Sequence, residues 1–94
     1  MEIRFKPKFW KDIQKVKNDK EVVTALDKVF SNVEKAKTIQ EINNIKKLDY
    51  YQTRFRIKIY FDKKRDFRIG LYIMGNTVWF AGFLPRKKIY EENW

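Results

Sequence analysis

In the stretch RFRIKIYF, extended chain would place Arg54, Arg56, Lys58 and Tyr60 on one side and Phe55, Ile57, Ile59 and Phe61 on the other. A second alternation, FRIGLYI, sets Arg68, Gly70 and Tyr72 against Phe67, Ile69, Leu71 and Ile73. A third cationic group, Arg86, Lys87 and Lys88, follows the apolar run VWFAGFL and is itself followed by Tyr90. Guanidinium groups grip phosphate through a planar fork, which an ammonium cannot do. Arginines, a lysine and tyrosines converging on one sheet face therefore suit phosphate handling. Such a face can hold RNA by charge and stacking, with Tyr51, Tyr60, Tyr72 or Tyr90 as platforms for bases. It can also cut it. Metal-free cleavage of RNA needs a base for the 2'-OH proton, cations for the charge growing on phosphate, and an acid for the departing 5'-oxygen.

The rest of the composition narrows the choice. There is no histidine and no cysteine, so imidazole catalysis, thiolate metal sites and disulfides are excluded. The acids Asp12, Asp27, Asp49, Asp62 and Asp66 are scattered and form no ligand pattern, so neither a metal nor another cofactor is expected. A net charge of +10 on 94 residues attracts polyanions, which makes nucleic acid or an acidic protein the natural partner. Five of the six arginines lie in the second half of the chain, where the phosphate-handling pattern falls. Lys63, Lys64 and Arg65 read as a solvated turn, and Trp79 and Trp94 as packing or cover. The longest apolar run, VWFAGFL, is far short of the roughly 20 residues that span a bilayer. The opening MEIRFKPKFW has no signal-peptide pattern, and a cytoplasmic location is expected.

Residues 1–94 read as one small domain. MEIRFKP alternates as a strand stopped by Pro7, which is suited to begin a helix. Phe9, Ile13 and Val16 fall at helical spacing between Lys8 and Lys17. NDKE then supplies a break and a cap for a second helix reaching about Lys37, with Val22, Leu26, Val29, Phe30 and Val33 on one face. TIQEI has a capping-box pattern for one short helical turn. Three strands follow, joined through DKKRD and a Gly75-Asn76 hairpin turn. The expectation is an α+β fold: an N-terminal strand, a helical hairpin, then a three-stranded antiparallel meander. The helices would cover one face of the sheet and leave the other open and cationic.

This order of elements, together with TIQEINNIKKLDYYQTRFRIKI, DFRIGLYI and above all NTVWFAGFLPRKKIY, resembles the RelE/ParE toxin superfamily of type II toxin-antitoxin systems, and RelE-like members in particular. The resemblance implies a helical hairpin packed on a four-stranded sheet. It implies Arg54, Arg56, Arg68, Arg86 and Tyr90 as catalytic residues, with Lys58, Tyr72, Lys87 and Lys88 as RNA contacts. A histidine role does not carry over, because Pro85 stands where many members have one, and Gly82 stands where a charged residue is frequent. RelE-like members cut mRNA on the ribosome and stop translation. ParE-like members instead poison DNA gyrase. Either activity implies a cognate antitoxin protein as partner; a basic RNA-binding domain without cleavage is the third reading.

Overall fold

Pro7 has no amide hydrogen to leave unpaired and stands at the first position of helix α1 (Pro7–Gln14), directly after strand β1 (Glu2–Phe5). The computed structural model describes residues 1–48 and 53–94; the Tyr51 platform and the acid Asp49 lie outside the described residues. Helix α2 (Lys20–Lys35) is capped by Asp19, whose carboxylate accepts the amides of Glu21 and Val22 at 3.1 and 3.3 Å. Its other end is met by the Met1 amino group, which donates to the carbonyls of Val33, Glu34 and Ala36. A positive charge there satisfies carbonyls that the helix itself leaves open. TIQEI gives a short 3-10 helix (Ile39–Glu41), with the Glu41 carboxylate accepting the Thr38 amide at 3.1 Å.

Among the described residues the sheet has five strands in the order β1-β5-β4-β3-β2, which corrects the expected four. The additional strand is β2 (Ile45–Lys47), antiparallel to β3 (Arg54–Tyr60). Asn44, at φ 62°, turns the chain into it, a conformation that asparagine tolerates better than most residues. Lys46 and Lys47 are exposed on this strand, which lies at the sheet edge where lysine discourages pairing with other chains. β4 (Asp66–Met74) and β5 (Thr77–Pro85) continue the antiparallel meander, and β1 closes the other edge parallel to β5. The turn between β4 and β5 uses Gly75 at φ 60°, where a side chain would be strained.

Both helices pack on one face. Phe9, Val22, Leu26 and Val33 meet Ile57, Ile69, Leu71 and Phe80 in the main core. Phe5, Phe9, Phe30 and Phe80 stack there, with the Phe30 and Phe80 centroids 5.1 Å apart and edge-on. Fully burying a ring, as at Phe9 and Phe80, contributes roughly 1.5–3 kcal/mol. A bulge in β5 interrupts the alternation: Gly70 pairs Gly82, Leu71 pairs Phe80, and Ala81 is left unmatched. The phase therefore resets, so that Phe80 and Phe83 both reach the main core while Ala81 and Leu84 reach the opposite face.

That opposite face is not open, contrary to expectation. Residues after β5 fold back over it, and Ile89 and Trp94 bury themselves against Ala81 and Leu84, with Tyr72 and Leu48 at the margin. No helix among the described residues is long and apolar enough to cross a membrane.

Candidate nucleic-acid interface

The segment following β5 explains LPRKKIY. The amides of Lys88 and Ile89 donate to the Pro85 carbonyl at 2.9 and 3.3 Å, and that of Glu92 to Lys88 at 3.0 Å, so the chain leaves the strand in a helical turn. Ile89, fully buried, anchors the turn; Arg86, Lys87, Lys88 and Tyr90 point outward, Tyr90 being 61% exposed. Tyr90 stands four residues after Arg86 along this segment.

Arg86, Lys87 and Lys88 meet the β3–β4 turn across a concavity of about 520 Å³, whose other wall is Tyr60, Lys63, Lys64 and Asp66. Five cations thus line one hollow. Sequence reasoning treated Lys63 and Lys64 as ordinary turn residues, and no local pattern links them to Arg86; the contact depends on β3, β4 and β5 ending together. Arg65, next in the turn, faces the other way. It holds Asp62 at 3.0 Å and Asp19 and Glu21 at 3.3 Å, tying the turn to the start of α2. The Arg65 amide and guanidinium hold the Asp62 carboxyl below its ordinary value.

From this hollow a cationic row runs along β3. Lys58 lies 5.5 Å from the Tyr60 ring centre and is exposed. Arg56 is half-buried and donates from Nη1 to the Asn44 carbonyl at 2.9 Å. Arg54 stacks on the Trp94 ring at 4.1 Å. The row from Arg54 to Tyr60 spans about 20 Å at strand spacing. Lys6, directly after β1, reaches over the Tyr72 ring at 4.6 Å and extends the cationic surface across the sheet.

Two expected site residues are placed differently. Arg68 was expected on an open face, but it is 5% exposed and paired with the Asp66 carboxylate, with a further bond of 3.0 Å to the Phe67 carbonyl. Its charge is met inside the protein by Asp66. Tyr72 was expected as an open platform; it is half-buried, packed edge-on against Trp94 at 5.5 Å, and its hydroxyl donates to the Trp94 carbonyl. Sequence reasoning also passed over Asp12 as one of several scattered acids. It is buried, accepts the Phe83 amide at 2.9 Å and the Lys8 ammonium at 2.9 Å, and so pins α1 to β5 just before the basic segment. Among the described residues no group of acids is arranged to hold a metal ion.

A helix pair on one face of a five-stranded sheet, with a basic hollow where the last strand ends, defines the class: a small two-layer α+β domain. The fold is that of RelE. The crystal structure of the RelB-RelE antitoxin-toxin complex from Methanococcus jannaschii aligns with 94% of this chain and 95% of its own at a TM-score of 0.73 and 24% identity. No family model matches the sequence, and no curated protein matches it.

Proposed function

We propose that this protein is the toxin of a type II toxin-antitoxin pair, acting as a ribosome-dependent mRNA endonuclease that stops translation. The observation that carries this reading is the hollow in which Arg86, Lys87 and Lys88 face Tyr60, Lys63 and Lys64. Its charge suits phosphate, and the row of Lys58, Arg56 and Arg54 continues along β3 as a track for the strand on either side.

In the reaction we assign, the 2'-hydroxyl gives up its proton to solvent water as its oxygen attacks the adjacent phosphorus, while the bond from phosphorus to the 5'-oxygen breaks. The products carry a 2',3'-cyclic phosphate and a free 5'-hydroxyl. Arg86 takes the charge developing on the phosphoryl oxygens, and the exposed Tyr90, four residues on, delivers the proton to the leaving 5'-oxygen. Lys87 and Lys88 hold the flanking phosphates. Preorganised cations are worth most where water is excluded, and the mRNA together with the ribosome would close the exposed side.

The partner we assign is an antitoxin with an acidic, amphipathic segment, complementary to the +10 charge of this chain. Induction of the protein in a bacterial host, with mapping of new mRNA 5' ends, tests the activity. Cuts placed on reading frames and lost in Arg86→Ala support it. Growth arrest with intact mRNA would instead point to gyrase, to be checked by DNA supercoiling, and RNA binding without scission to a non-catalytic domain.

A further inference from the structure

Trp94 occupies a setting that is unusual for a buried indole. Its floor is two glycines, Gly70 and Gly82, paired directly across β4 and β5. A Cβ on Gly70 would lie 2.6 Å from Cδ2 and Cε3 of the indole, so the bicyclic ring rests on bare backbone. Its roof is the Arg54 guanidinium, 4.1 Å from the ring centre. Tyr72 forms one wall, 5.5 Å away and tilted at 61°. Glycine inside a strand weakens it and marks a place where something approaches the backbone closely. A flat ring held between backbone and guanidinium, with a tyrosine at its edge, is how proteins grip an unstacked base.

A second observation concerns phosphate. On the same face, Arg56 lies directly opposite Gly70, and Arg68 lies two residues before it. The Nε atoms of Arg56 and Arg68 are buried and have no hydrogen-bond partner among the described residues, and Arg68 is 5% exposed. Buried N–H groups are ordinarily paired, so two such donors beside a ring slot point to an acceptor that arrives with a ligand. The attachments of Trp94 to its surroundings include its indole N–H to the Ile89 carbonyl at 2.8 Å and its own carbonyl to Tyr72, which a swing of residues 90–94 about the buried Ile89 would release.

We propose that the Gly70–Gly82 floor is a binding slot for an RNA nucleobase carrying a phosphate, and that Trp94 fills it here in place of that base. An indole is a fused bicycle of purine size, which favours adenine or guanine over the smaller pyrimidines. The slot deepens the RNA-binding reading above and rests on it, giving the track along β3 a place that grips one nucleotide. Bound base and Trp94 exclude each other, so affinity is reduced by the fraction of molecules in which the slot is closed.

The test is titration of folded Trp94→Ala and wild-type protein with adenosine 3'-monophosphate, with ribose 5-phosphate as the probe lacking a base. Trp94→Ala should bind the nucleotide at least ~10-fold tighter than wild type and should favour it over the sugar phosphate. Adding Gly70→Ala to that variant should abolish the gain, because the new methyl occupies the floor. Equal nucleotide affinity in wild type and Trp94→Ala, or a gain that survives Gly70→Ala, would overturn the slot. Should Trp94→Ala fail to fold, the same nucleotide is titrated into protein carrying Trp10→Phe and Trp79→Phe. A saturable red shift of Trp94 emission is then expected, and no shift would overturn the proposal. Nucleotide binding without mRNA cleavage in cells would keep the slot and sink the endonuclease reading; cleavage without such binding would do the reverse.

Discussion

The Arg86 amide donates to the Asp66 carbonyl at 2.9 Å, and the carboxylate of the same Asp66 holds buried Arg68. One residue thus fixes the end of β5, from which the cationic segment departs, and neutralises the charge beneath it. Removing Asp66 leaves a guanidinium in the interior with its main counter-charge gone. Asp66→Ala should therefore lose about 3 kcal/mol in urea unfolding, whereas Arg68→Met, which removes the buried charge itself, should lose less. Equal stability of Asp66→Ala and wild type would show that Arg68 is satisfied without it.

The glycine floor predicts a second asymmetry. A methyl on Gly70 would sit 2.6 Å from the Trp94 ring, whereas one on Gly82 would meet the Trp94 Cβ at 3.2 Å, a contact that a small shift relieves. Gly70→Ala should cost about 1–3 kcal/mol and expose Trp94, read as a red-shifted emission, while Gly82→Ala should change both less. A blue, unshifted spectrum in Gly70→Ala would contradict the placement of the indole.

Acid sensitivity has a local source. Arg65, through its amide and guanidinium, holds the Asp62 carboxyl below the ordinary aspartate range. A carboxyl lowered on folding stabilises the protein above its unfolded value and loses that contribution as pH falls through the lower folded one. The stability difference between wild type and Asp62→Asn should be flat above about pH 5 and shrink below about pH 4. Thermal unfolding across that range measures it, and a difference independent of pH would exclude Asp62 as the source.

The elements were largely legible because each rests on short-range rules. Alternation marked β3 and β4, Pro7 marked the start of α1, and NDKE marked the cap of α2 without choosing between Asn18 and Asp19, of which Asp19 takes the position. β2 was not legible: three residues, Ile45–Lys47, are too few to show a period, and a left-handed Asn44 creates the strand. Alternation also correctly put Arg54, Arg56, Lys58, Arg68 and Tyr72 on one side of the chain. It is silent on what covers that side. The partial burial of Tyr72 follows from Ile89 and Trp94 folding back over paired glycines, and the hollow shared by Lys63, Lys64 and Arg86 follows from the pairing of Tyr60 with Asp66 and of Phe67 with Pro85 at the strand ends. Both are tertiary contacts between segments far apart in sequence.

The most direct test is induction of wild-type and Arg86→Ala protein in a bacterial host, with growth followed and new mRNA 5' ends mapped on translated messages. Arg86 is exposed, so its removal should leave thermal unfolding within about 0.5 kcal/mol of wild type. The account predicts growth arrest and in-frame cleavage by the wild type, with cleavage reduced by about 100-fold or more in the variant. Undiminished cleavage by folded Arg86→Ala would contradict it.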